Sequence, residues 1–223
     1  MSKIQSQLVK SSANIKMLVT GFEPFGGEKV NPSEKIVKKI ARENFNGIDL
    51  YSLLLPVSYQ ESIKRLDEFY NSNEIDITIH IGQAGGTTAI TIERLGVNVM
   101  DSPNPDNDDI TKDDENIVEK ARDAYMTQID VKRLVEWLNK KKIPTVLSYT
   151  AGQYICNEVY YYSLHHSEKH KNPKYVLFVH LPFLPEQVAE KAPKNKNIAS
   201  MSLMLEYKAI RMIVANVRNY LSK

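Results

Sequence analysis

The sequence predicts an α/β fold: a single three-layer α/β/α domain around a central, mostly parallel twisted sheet, spanning residues 15–223. Three observations carry that expectation. Strand-like and helix-like segments alternate along most of the chain, the order that βαβ units produce. The strand-like runs are rich in β-branched residues, as in Ile75-Asp76-Ile77-Thr78-Ile79-His80-Ile81-Gly82. Finally, 223 residues with 42% hydrophobic side chains suffice for one well-buried core, and no linker divides them.

The elements follow in order. Residues 1–14 are polar, Ser-rich and aperiodic, and are expected to form a loose arm; Met17 offers an alternative translation start. Residues 15–20 read as a buried strand, followed by the loop Gly21-Phe22-Glu23-Pro24-Phe25-Gly26-Gly27. Pro32 and Ser33 open a helix to about residue 43, with Ile36, Val37 and Ile40 at helical spacing. A strand over 50–57, a helix over 59–70 and a strand over 75–82 come next. A strand-like run over 89–100 leads into the acidic, proline-containing segment 101–115, expected on composition to be a flexible solvent-facing loop. Then come a helix over 130–141, a short strand over 145–148, a helix after Gly152, a strand over 175–180, a mobile Lys-rich loop over 190–197 and a terminal helix over 202–221.

Charge and composition exclude several functions. With 29 basic and 27 acidic side chains the net charge is +2, too even to favour nucleic acid or an anionic membrane surface. One cysteine forms no internal disulfide, and neither a secretory leader nor an apolar membrane span is evident, so a reducing, cytoplasmic location is expected. The acidic segment does not fit a calcium loop, because counting from Asp106 the required Gly and Glu positions hold Thr111 and Ile117. The glycine-rich loop after the first strand lacks both GxGxxG spacing and a P-loop lysine. His166 and His170 share helical i, i+4 spacing, but no third metal ligand of suitable type accompanies them, and no metal or cofactor is expected.

Chemistry gathers where strands are expected to end, since ligand crevices of open α/β sheets lie outside the carboxyl ends of their strands. Cys156 follows the Thr150-Ala151-Gly152 turn and falls in the first turn of the next helix, where the helix N-terminus favours a thiolate. A lone cysteine is also commonly a small buried hydrophobe. His180 closes a strand and suits either a general base or a backbone hydrogen bond. Glu93 interrupts the apolar run Ala89-Ile90-Thr91-Ile92, so it is expected to be paired, exposed or functional. As an orienting carboxylate it would hold the imidazole tautomer; as a structural group it would pair with Arg94 or face solvent.

Five motifs in order, Gly21-Phe22-Glu23-Pro24-Phe25-Gly26-Gly27 with Asn31-Pro32-Ser33, Gly82-Gln83-Ala84-Gly85-Gly86, Glu93-Arg94, Thr150-Ala151-Gly152 with Tyr154, Cys156 and Asn157, and His180-Leu181-Pro182-Phe183-Leu184-Pro185-Glu186-Gln187, resemble the pyrrolidone-carboxylate peptidases. The resemblance covers residue 16 to the C-terminus. It implies a phosphorylase/hydrolase-like α/β/α fold and a thiol exopeptidase that removes N-terminal pyroglutamate from small peptides, without metal or cofactor. It assigns Cys156 as nucleophile, His180 as base and Glu93 as orienting carboxylate. Phe22 and Phe25 would enclose the lactam ring, and Asn31 and Gln83 would hydrogen-bond its amide. The family commonly forms homotetramers. Two positions depart from the family pattern: Pro103 stands where arginine is usual, and Tyr149 where asparagine is usual. Pro103 motivates an alternative, a catalytically impaired homologue that still binds pyroglutamyl peptides.

Overall fold

The computed structural model describes residues 14–195 and 197–221. Apart from Asn14, the expected N-terminal arm lies outside the described residues. Met17, the alternative start, sits inside the first strand and is fully buried.

A six-stranded sheet forms from β1 (Ile15–Phe22), β2 (Ile48–Leu55), β3 (Ile77–Gln83), β4 (Ile90–Glu93), β9 (Thr145–Ser148) and β10 (Tyr175–Leu181), in the order β2-β1-β3-β10-β4-β9. All neighbours pair in parallel except β10 and β4. Helices α1 (Pro32–Ile40), α3 (Val131–Lys140) and α6 (Leu203–Asn216) cover one face. On the other lie α2 (Tyr59–Ser72) and α4 (Ile155–His170). The alternation of side chains along a strand divides the core accordingly. In β10, Leu177, Val179 and Leu181 pack with α1, α3 and α6, while Val176 and Phe178 pack with α2 and α4. The fold is therefore α/β, with helices flanking a mixed but mostly parallel sheet.

Several segments differ from the sequence reading. The strand-like run over 89–100 breaks after Glu93. Its continuation, β5 (Leu95–Val97), leaves the main sheet and pairs with β8 (Ala124–Met126). Asn157 enforces that departure: fully buried on α4, it accepts from Val97 N at 3.0 Å and donates to Val97 O and Val99 O at 2.9 and 3.0 Å. The acidic segment is not a bare flexible loop. It contains the antiparallel pair β6 (Met100–Ser102) and β7 (Lys112–Glu115). Between them buried Asp106 accepts from the backbone N–H groups of Tyr59, Asp108 and Ile110 at 2.9–3.0 Å. Composition signals charge, but one aspartate that collects backbone donors orders the segment around it. A short helix, α5 (Pro185–Lys191), replaces the start of the expected Lys-rich loop. The terminal helix is α6 followed by a 3-10 turn, Val217–Tyr220.

Candidate functional site

The crevice lies where β1, β3 and β10 end. Phe22 closes β1, Gln83 closes β3, and His180 is the penultimate residue of β10, paired with Gly82. Glu93 arrives differently. Its strand runs antiparallel to β10, placing Phe178 opposite Glu93 and His180 opposite Thr91. Residues directly opposite and those two along share one face of the sheet, so the Glu93 side chain meets the imidazole diagonally. β9 runs with β4, against β10. The Thr150-Ala151-Gly152 turn thus follows a strand that runs against β10, not one that shares its carboxyl edge as the sequence suggested, and Glu93 lies on the parallel neighbour of that strand.

His180 Nδ1 lies 2.8 Å from Glu93 Oε1, with both side chains buried. The other carboxylate oxygen, Oε2, is buried and has no partner among the described residues. Glu93 does not use Arg94 as its counter-ion; His180 is its ionic neighbour. Burial opposes a charged imidazole. Interactions with the Cys156 and Glu93 side chains outweigh it and raise the His180 pKa to about 9.

Cys156 is the second residue of α4 and half-buried. Its sulfur occupies the space over Gly82: a Cβ there would stand 2.9 Å from Sγ and 2.9 Å from Phe178 Cζ. Only glycine admits so close an approach. Two helical turns below, a buried polar chain fixes α4 against the sheet. Ser163 Oγ contacts His80 Nε2 at 2.9 Å and Tyr70 Oη at 3.0 Å, and His80 Nδ1 contacts Thr20 Oγ1 at 2.7 Å. Burial lowers the His80 pKa to about 3, so this imidazole is neutral and serves both as donor and acceptor. The N-terminus of α4 is open. Tyr154, the N-cap residue, makes no side-chain cap, and the first backbone bond into the helix is Glu158 N to Tyr154 O. The N–H groups of residues 155–157 find no acceptor among the described residues.

A narrow pocket, with a cavity volume of only about 10 Å³, opens beside Cys156. Phe22, Phe25, Asn31 and Gln83, the four residues expected to contact substrate, line it together with Val57, Tyr154, Ile155 and Cys156. Tyr154 braces its outer wall, 6.1 Å from the Phe25 ring and 5.6 Å from Tyr59, with its hydroxyl donating to Pro105 O at 2.9 Å. Sequence reasoning gave no role to Val57, Tyr154 or Ile155; Tyr154 and Ile155 were legible as neighbours of Cys156, Val57 was not. Asn31 is largely committed elsewhere. Its Oδ1 accepts from Ser33 N and Oγ as the cap of α1, and Nδ2 donates to Glu23 O. Pro103 is exposed on the turn after β6. Among the described residues no three His, Cys, Asp or Glu side chains converge on one point as metal ligands. Larger surface hollows, one around Lys16, Asp76 and Lys174 and another around Arg94, Asp130 and Arg133, are not lined by Cys156.

Comparison with known proteins gives a consistent result. A family model described as pyroglutamyl peptidase matches residues 15–220. The pyrrolidone-carboxylate peptidase of Pyrococcus furiosus is 39% identical over 200 residues, covering 90% of this chain and 96% of the relative. That of Thermosipho africanus is 42% identical over 190 residues, covering 85% and 90%. Among solved structures, the pyrrolidone carboxyl peptidase of Fervidobacterium islandicum AW-1 superposes with a TM-score of 0.92 at 54% identity, over 93% of this chain and all of that one.

Proposed function

The chain belongs to the pyroglutamyl peptidase family, and from that premise we propose that Cys156, His180 and Glu93 act together to hydrolyse the bond after an N-terminal pyroglutamyl residue. The observation that carries the reading is the aromatic pocket opening directly on Cys156, with a buried imidazole and carboxylate behind the sulfur.

The mechanism follows from charge and position. At neutral pH His180 is an imidazolium, its Nδ1 held by Glu93, so the opposite nitrogen serves Cys156. Glu93 Oε2 lacks a partner among the described residues, and an unpaired buried carboxylate is costly, which favours the protonated imidazole beside it. The thiolate attacks the carbonyl carbon of the pyroglutamyl residue, and the unbonded N–H groups at the start of α4 suit the oxyanion that forms. His180 gives its proton to the departing amine, the C–N bond breaks, and a thioester remains. His180, now neutral, takes a proton from water; the hydroxyl adds to the thioester and releases pyroglutamate and the thiolate. Phe22, Phe25 and Tyr154 suit a flat, uncharged lactam ring, and Gln83 suits its carbonyl.

Purified protein should release the reporter amine from a pyroglutamyl amide under reducing conditions. Alkylation of the thiol, or Cys156→Ala, should abolish release. Folded, reduced protein that releases nothing would overturn the reading. Retained ligand binding without release would favour the impaired homologue that Pro103 suggests.

A further inference from the structure

Gln187, in the first turn of α5, is almost fully buried, and all its polar capacity is committed. Its Oε1 accepts the backbone N–H of Leu184 at 2.9 Å. A backbone N–H only donates, so this end of the amide is the oxygen and the other end is the NH2. Nε2 then faces three acceptors: Gln83 Oε1 at 2.8 Å, Glu28 Oε2 at 3.0 Å and Val30 O at 3.2 Å. The orientation propagates. Because the NH2 of Gln187 only donates, Gln83 must present its oxygen to Gln187. The NH2 of Gln83 therefore remains on the pocket side, where it has no partner among the described residues.

We propose that Gln187 is a positioning residue that sets the hydrogen-bond polarity of the substrate pocket. Through Gln83 it gives the pocket a side-chain amide donor. The inference rests on the reading that this pocket holds the pyroglutamyl ring, and it deepens that reading. Asn31 is more constrained, since its oxygen caps α1 and one of its two N–H groups serves Glu23 O. A ring carbonyl satisfies the Gln83 donor. A prolyl ring, lacking that oxygen, leaves it buried and unpaired, and sites built to hydrogen-bond a substrate group reject analogues lacking it.

Two variants test this. Gln187→Met removes both ends of the amide at similar volume. Gln187→Glu, made together with Glu28→Gln so that no second carboxylate lies 3.0 Å away, keeps an oxygen for Leu184 N–H but turns the other end into an acceptor, which draws the NH2 of Gln83 away from the pocket. Both are measured for kcat and KM on a pyroglutamyl amide reporter, alongside thermal unfolding, Gln83→Met and the Gln83→Met/Gln187→Met double variant. KM is expected to rise about tenfold or more in each Gln187 variant with kcat changed far less, and Gln187→Met to add nothing once Gln83 is Met. Gln187→Glu retains the cap of α5 and decides the matter if Gln187→Met unfolds. Unchanged KM in folded Gln187→Glu, or effects that simply multiply in the double variant, would overturn the role of Gln187 and leave the peptidase reading standing. Wild-type protein that leaves the reporter intact would instead overturn the peptidase reading, and this inference with it.

Discussion

Glu206 on α6 offers the most quantitative test of the structure. It is fully buried, and neither carboxyl oxygen has a partner among the described residues. Burial, with a smaller contribution from the Glu186 charge, raises its pKa from 4.5 to about 8. The folded protein therefore holds a proton that the unfolded chain has released between about pH 4.5 and 8. In that window the unfolded state binds fewer protons, so stability falls as pH rises. Each pH unit well inside the window removes about 1.4 kcal/mol, so about 3 kcal/mol is lost by neutral pH. Glu206→Gln keeps the shape and cannot ionise. Its amide is as unpartnered as the carboxyl it replaces, which adds an offset independent of pH. Urea unfolding of both proteins at several pH values isolates the effect in their difference. The variant should gain on the wild type by about 1 kcal/mol or more per unit between about pH 5 and 7. A difference that stays flat with pH would refute the burial argument.

Other predictions concern the site and its frame. Gly82→Ala forces Cβ against Cys156 Sγ and Phe178, and should lower kcat/KM by about a hundredfold, by displacing the sulfur from its line of attack; steady-state kinetics on folded variant protein checks it. The alkaline limb of the kcat/KM profile should reflect deprotonation of His180 near 9, and Glu93→Gln, which removes one cause of the raised value, should lower the rate and shift that limb to lower pH; an unmoved limb would separate Glu93 from the imidazole. Asn157→Ala strips two hydrogen bonds from Val97 in β5 and one from Val99 and leaves half-buried backbone groups unpaired, so chemical denaturation should show a loss of about 2–4 kcal/mol.

Two glutamates show how far the sequence could be read. Ile90-Thr91-Ile92-Glu93 and Leu203-Met204-Leu205-Glu206 present the same local signal, an acid among apolar neighbours. Spacing alone cannot separate them, because what differs is the partner across the fold. Glu93 meets an imidazole from β10, whereas Glu206 meets no counter-charge and is held neutral. The alternation of elements was legible because strands buried between helices must be apolar and short. The reversal of β4 and β9 was not, since pairing direction leaves no trace in a four-residue strand. Nor was the order of the acidic segment, where Asp106 alone among many acids collects the backbone donors.

The site can also be located by where local rules are broken. Helices α1, α2, α3 and α6 open on Asn31, Ser58, Asp130 and Ser202, each accepting a backbone N–H from the first turn. α4 opens on Tyr154, which caps nothing, and a missing cap costs about 1 kcal/mol. A capping side chain would occupy the N–H groups proposed to meet the oxyanion. An aromatic residue at that position leaves them open and supplies a wall for the pocket. Helix α4 is thus less well terminated than α1, α2, α3 and α6, and the loss falls on the turn that holds Cys156, the proposed nucleophile. The buried chain of Thr20, His80, Ser163 and Tyr70 offsets it two turns away, fixing the same helix where no substrate needs to enter. On the proposed reading, stability and reactivity are therefore separated along α4: its N-terminus is left open for chemistry, and its middle is hydrogen-bonded to the sheet.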